Sequence, residues 1–157
     1  MNYTIRKIRV DEYHLLDDFI YEAIFIPEGV VPPPRTIINQ PELQVYIKNF
    51  GTEKDDMCFV AEADNTVVGA VWVRDMQDYG HIADGVPSFA ISLYKQYRNL
   101  GIGTKLMTTM LDELRNKGYK RTSLAVQKEN YAVKMYKKVG FRIIDENGEE
   151  YIMIRDL

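Results

Sequence analysis

Between Phe89 and Leu93 alternate residues are large and apolar (Phe89, Ile91, Leu93), the period of a strand with one buried face. From Ile102 the period lengthens: Ile102, Leu106, Met107, Met110, Leu111 and Leu114 share one stripe of a helix. The join between them, Arg98-Asn99-Leu100-Gly101-Ile102-Gly103-Thr104, is a polar turn carrying two glycines. A strand that feeds a helix through such a turn leaves the first helical N–H groups without intrahelical partners. Those donors and the positive end of the helix dipole make an anion site. Glycines at 101 and 103 leave no Cβ between an anion and the backbone. A phosphate-bearing ligand is implied.

The remaining pattern places elements on both sides of this unit. Tyr3 to Val10 reads as a strand, and Asp11 is expected to cap a helix with Leu15, Leu16, Phe19, Ile20 and Ala23 on one face, stopped by Pro27. Pro27 to Gln40 holds four prolines, three of them consecutive, and reads as an extended, stiff loop forming one wall of a substrate entrance. Pro41 opens a short helix carrying Leu43, Tyr46, Ile47 and Phe50, closed by Gly51. Met57–Glu62 and Val67–Arg74 form a hairpin, and Asp75 to Val86 is a polar loop. Lys120 to Gln127 is a further strand. Phe141–Asp145 and Glu150–Ile154 make a last hairpin around Asn147-Gly148.

Composition narrows the class. A chain of 157 residues with 46% hydrophobic and 27% charged residues fits one domain, 1–157, with an ordinary core. Cys58 is the only cysteine and lies in an apolar strand, so it reads as a small core residue, without a disulfide. No apolar run is long enough to span a membrane and the opening stretch MNYTIRKIRVDEY lacks a signal-peptide core, so a cytoplasmic setting without membrane attachment is expected. His14 and His81 are the only histidines, and neither has carboxylates at ligand spacing in the sequence, so no metal site is expected.

The net charge of −3 is unevenly spread. Residues 1–90 carry 7 Lys/Arg against 15 Asp/Glu, whereas residues 91–142 carry 12 against 3. The basic block coincides with the expected phosphate site and favours a polyanionic ligand. The acidic block hints at a cationic acceptor. The basic residues show no aromatic stacking platform, so the block is not read as a nucleic-acid surface.

The spacing of the turn excludes two common phosphate motifs. A dinucleotide fingerprint needs a third glycine where Leu106 stands, and a P-loop needs a different order around Gly103-Thr104-Lys105. Arg98-x-x-Gly101-x-Gly103 resembles the Q/R-x-x-G-x-G/A motif of the GNAT superfamily of N-acetyltransferases. Downstream, Asn130-Tyr131-Ala132 through Tyr136 to Gly140-Phe141 resembles that family's N-x-A-x-x-x-Y-x-x-x-G-F element, a helix of about three turns between an Asn130 N-cap and a Gly140 C-cap. The likeness covers Phe89 to Phe141 and is much weaker before it.

The resemblance implies an α/β fold of the α+β type: a mixed, mostly antiparallel twisted sheet of about seven strands with helices on both faces, in the order β-α-α-β-β-β-α-β-α-β-β. It implies that acetyl-CoA is the cosubstrate, its pyrophosphate held at Arg98, Asn99, Leu100, Gly101, Ile102, Gly103 and Thr104, with Asn130 beside it. Pantetheine would pair with backbone at Ile91, Ser92 and Leu93, in a cleft where two strands part and where Ser123 and Ala125 stay small to leave room. Tyr136 matches the tyrosine that serves many members as general acid. The family pattern does not fix a base here; Asp84, His81, Glu22, Glu28 and water stay open. The expected activity is acetyl transfer to a primary amine of a small molecule or peptide. A non-catalytic acyl-CoA sensor is the alternative, and association as a homodimer is left open.

Overall fold

The computed structural model describes all 157 residues. Seven strands form one sheet: β1 (Thr4–Lys7), β2 (Met57–Ala63), β3 (Thr66–Arg74), β4 (Ser88–Leu93), β5 (Arg121–Gln127), β6 (Arg142–Glu146) and β7 (Glu150–Asp156). Their spatial order is β1-β2-β3-β4-β5-β7-β6, antiparallel throughout except between β4 and β5. The helices are α1 (Leu16–Glu22), α2 (Pro41–Gln44), α3 (Ile102–Asn116) and α4 (Ala132–Lys138). This is the expected order and the expected mixed sheet.

The alternation of β4 divides the core in two. Phe89, beside the half-buried Ile91 and Leu93, belongs to the cluster under α3 and α4, with Val71, Val73, Leu124, Val126 and Met153. The six apolar residues read as the stripe of α3 are all buried there. Ala90 and its neighbours Ala70 and Trp72 face α1, where Leu16, Phe19 and Ile20 complete the second cluster. Trp72 is fully buried because its indole N–H finds an acceptor, the Tyr46 carbonyl at 3.0 Å.

Several boundaries differ from the sequence reading, each for a local reason. Residues Val10–Leu15 form a 3-10 turn, so α1 starts at Leu16 and ends at Glu22, before Pro27 can act. Asp11 does not cap it; Glu12 does the bracing instead, its carboxylate accepting the Arg9 N–H at 2.9 Å. Arg35–Asn39 is a second 3-10 turn inside the segment read as wholly extended. The β2–β3 turn is at Asp64-Asn65, both left-handed, which is the geometry a two-residue hairpin favours. In the last hairpin Asn147 works through its side chain, accepting the N–H groups of Glu149 and Glu150. Helix α4 spans seven residues, about two turns rather than three, because Tyr131 precedes it and Gly140 turns left-handed after it.

A polar brace lies at the β1 edge. Arg6 grips both oxygens of the buried Glu12 carboxylate at 2.8 and 2.9 Å and also reaches Glu62. The hydrogen bonds from Arg6 hold the Glu12 carboxyl at about 2, against an ordinary 4.5. A carboxyl depressed on folding stabilises fully above its unfolded value, and that contribution fades as pH falls through the folded one. Glu12→Gln is expected to lower the unfolding free energy by on the order of 3 kcal/mol at pH 7. In urea titrations the gap between the two proteins should narrow steadily from pH 4.5 to pH 2.

Candidate active site

Strands β4 and β5 touch at one register only, Ser88 opposite Ser123, and part beyond it. The loop before β4 anchors that one register. Ser123 N–H and Thr122 Oγ both donate to the Pro87 carbonyl, at 3.1 and 2.7 Å, and Ser123 Oγ donates to Gly80 O at 2.6 Å. Gly80 lies flat on β5: a Cβ there would sit 2.9 Å from the Ala125 N and the Leu124 carbonyl carbon. Loop backbone therefore covers this face of β5. Ser123 and Ala125 are small to admit this loop, a correction to the expectation that they leave room in the cleft, which neither of them lines.

On its other edge β4 pairs with β3. Tyr94 N–H donates to Val68 O, and Ser92 stands opposite Ala70 in the same antiparallel ladder. Hydrogen-bonding direction alternates along such a strand, so Ile91 and Leu93 turn their N–H and C=O groups toward the gap. Ser92 turns the other way, and its buried hydroxyl donates to Phe19 O at 2.6 Å. Of the three residues expected to offer backbone to a ligand, Ile91 and Leu93 face the opening and Ser92 presents its backbone to β3.

The gap widens into a cleft of about 800 Å³. One end is the start of α3. Gly101 is left-handed (φ 85°) and its carbonyl accepts the first helical bond, from Lys105. The N–H groups of Ile102, Gly103 and Thr104 are the unpaired ones. Gly101, Gly103 and Thr104 line the cleft, as do Asn99 and Arg98. The Ile102 side chain is in the core, leaving only its backbone available, and Leu100 points to solvent. Gly103 is closely approached: a Cβ would stand 3.3 Å from Met135 Sδ, so the methionine would have to give way slightly.

Arg98 is a tie rather than a free cation. Its Nε donates to Leu93 O at 2.9 Å, and its Nη2 donates to Glu22 O at 3.2 Å and lies 3.5 Å from Glu22 Oε2. It thus joins the end of β4 to the end of α1. Opposite, α4 contributes Ala132, Met135 and Tyr136, with Asn130 and Tyr131 before it. Asn130 accepts the Ala132 N–H on its Oδ1 at 2.9 Å, bracing the entry to α4 from one residue before the N-cap itself, which is Tyr131 rather than the expected Asn130. Tyr136 is buried against Phe141, and its hydroxyl has no hydrogen-bond partner in the protein although it borders the cleft. Burial pushes its phenol well above the ordinary value, so the group stays protonated at any working pH.

The four side chains left open as bases separate clearly. Glu22 lines the cleft, and Glu28, His81 and Asp84 do not. His81 and Asp84 sit with Asp75 in the 75–86 loop, their ligand-type atoms within 4.8 Å of one another. That grouping is invisible in sequence spacing, since Asp75 joins through the loop's fold; in place it braces the loop, its Oδ2 accepting the Gly85 N–H. Asp78 in the same loop accepts the hydroxyls of Tyr46 and Ser88, both at 2.8 Å, which pins the loop to the first residue of β4. Burial raises the Asp78 carboxyl, while those hydroxyls pull it the other way.

The sequence reading anticipated the proline wall, and Pro32 and Pro33 do border the cleft. It missed Tyr21, Phe25, Lys95 and Met135, which also line it. Ile24, Phe25 and Ile26, apolar yet just past the end of α1's stripe, were the available signal.

The family model described as the acetyltransferase (GNAT) family matches residues 21–141. This chain belongs to the GNAT family of acetyltransferases. A probable N-acetyltransferase, camello, of Xenopus laevis is 33% identical over 105 residues, 66% of this chain and 47% of that protein. N-alpha-acetyltransferase 30 of Schizosaccharomyces pombe is 27% identical over 66% of this chain and 69% of its own length. The chain spans about half the length of the Xenopus relatives it matches. Among solved structures, the PaiA N-acetyltransferase of Thermoplasma acidophilum in complex with coenzyme A superposes with a TM-score of 0.74, at 22% identity, over the whole of both chains. That likeness establishes the GNAT fold. No helix is long and apolar enough to cross a membrane.

Because loop backbone rather than side chain packs on β5, Gly80→Ala is expected to cost about 1–3 kcal/mol of stability. Denaturant unfolding of the variant checks this; an unchanged midpoint would show that the loop lifts away freely.

Proposed function

We propose that this GNAT chain binds acetyl-CoA and transfers its acetyl group to a primary amine of a small molecule or peptide, by direct attack in a ternary complex. The observation that carries the reading is the gap between β4 and β5, which leads from the unpaired N–H groups of α3 to the unpartnered hydroxyl of Tyr136. In this reading the pyrophosphate rests on the N–H groups of Ile102, Gly103 and Thr104, and the pantetheine amides pair with the inward backbone of Ile91 and Leu93. The block of positive charge over residues 91–142 draws the polyanion to that end.

The cosubstrate supplies an activated thioester carbonyl. A neutral amine nitrogen attacks it; the C–N bond forms as the C–S bond breaks, the nitrogen gives up one proton to water and the sulfur gains one. Tyr136 is the donor placed to meet the developing thiolate. A phenol near ~10 and a thiol near ~8.5 differ by about 2 kcal/mol in free energy of proton transfer, and burial raises both acids together. The phenol therefore stabilises the leaving sulfur chiefly by its hydrogen bond and completes the transfer as the thiolate departs.

Calorimetry with coenzyme A and a thiol-release assay with acetyl-CoA test the reading in two steps. Gly103→Asp is expected to weaken coenzyme A binding by about tenfold or more, through a like charge at the diphosphate and a clash with Met135. Tyr136→Phe should lower kcat about a hundredfold while coenzyme A affinity stays within about twofold. Binding without thiol release for any amine would make the chain an acyl-CoA sensor, and absence of binding would overturn the proposal.

A further inference from the structure

The cleft wall formed by residues after α1 identifies the kind of amine that fits. We infer that the acceptor is an α-amine carried by an apolar residue, as at the start of a peptide or in an amino-acid amide, received at Glu22. This rests on the acetyl-transfer reading above and narrows its substrate.

Three features of the cleft lead there. Its wall opposite α4 is apolar, with Ile24, Phe25, Ile26, Val30, Pro32 and Pro33. The wall is held in shape: Tyr21 Oη donates to Pro33 O at 2.6 Å, and Arg35 pairs with Asp18 while lying over the Tyr21 ring. A preshaped apolar surface selects an apolar body, because burying it there releases water at little ordering cost.

Charge then limits the number of ammonium groups. Glu22 is the one carboxylate that lines the cleft, against two cations, Lys95 and Arg98. Its only side-chain partner is Arg98 at 3.5 Å, a long contact that leaves acceptor capacity on both oxygens. One ammonium can be met. A second or third, as in a polyamine or an aminoglycoside, would enter beside cations with no carboxylate to receive it. The acidic surplus of residues 1–90 lies mostly outside the cleft and does not change this count.

Proton chemistry separates an α-amine from an alkyl amine. No histidine borders the cleft, and Glu22 is its sole carboxylate, so most deprotonation has to come from the amine's own acidity. An α-amine with a pKa of ~7.7–8.0 is roughly 10% neutral at pH 7, against about 0.04% for a lysine-like amine at ~10.4. The attacking species is thus more than a hundredfold more abundant for the α-amine.

The experiment measures thiol release from acetyl-CoA with matched acceptors, alongside coenzyme A calorimetry on the same protein. The acceptors are tetrapeptides differing only in the first residue (Leu, Phe, Gly, Asp, Lys), leucine amide, phenethylamine and spermidine. The Leu- and Phe-first peptides, leucine amide or both should exceed the Asp- and Lys-first peptides, phenethylamine and spermidine by at least about tenfold in kcat/KM. Leucine amide matching the peptides places the acceptor among small molecules, and a clear preference for the peptides places it among polypeptide N-termini; each supports the inference. Glu22→Gln should raise acceptor KM about tenfold. Phe25→Ala should raise KM for the Phe-first peptide and spare the Gly-first one, with coenzyme A affinity within about twofold. Preference for spermidine or phenethylamine, with coenzyme A still bound, overturns this inference alone; failure to bind coenzyme A overturns the reading beneath it as well. A Phe25→Ala effect on coenzyme A affinity but not on acceptor KM would assign the wall to pantetheine and also overturn the inference.

Discussion

At the start of β5 the chain entering β4 is fastened to the strand by a tight set of hydrogen bonds. Pro87 O receives Thr122 and Ser123, Gly80 O receives Ser123 Oγ, and Gly80 itself lies against the β5 backbone. The parallel pair is bridged once, at Ser88 and Ser123, and beyond it that edge of β4 has no strand partner, with Leu93 O taken by Arg98. Unpaired strand backbone is costly unless water or a ligand meets it. Here the cost is met by placing that edge along a cleft, so the parting of β4 from β5 and the large opening are the same feature.

The rest of the molecule secures this opening. Asp78 ties the wedge loop to Tyr46 and to Ser88, the residue that makes the bridge. At the other end Arg98 joins Leu93 to Glu22, holding α1 and its apolar sequel against the end of β4. The arginine of the glycine motif thus has a positioning role that the motif alone does not suggest. It fixes the glycine turn and the wall of the cleft with one side chain, and couples the two ends of the cleft.

How much of this was readable before any coordinates depended on range. The β4–turn–α3 unit was legible because period, glycines and helix stripe are local, and each apolar position named for α3 is buried. Asn130 and Gly140 were legible as flanking a helix for the same reason. The first eighty residues were less so, since a 3-10 turn replaces the start of the expected helix and another interrupts the expected extended loop, and neither carries a 3.6-residue period. The reason for Ser123 and Ala125 being small was missed because it lies more than forty residues away, at Gly80. The direction of Ser92's backbone follows from register with β3, which no strand reveals by itself.

Amide shifts of the isotopically labelled protein, recorded as coenzyme A is added, test the central claim most directly. The account predicts the largest changes at Ile91 and Leu93 along the free edge and at Ile102, Gly103 and Thr104, with Ser92 much less affected. Shifts confined to other surfaces, or none at all, would contradict it.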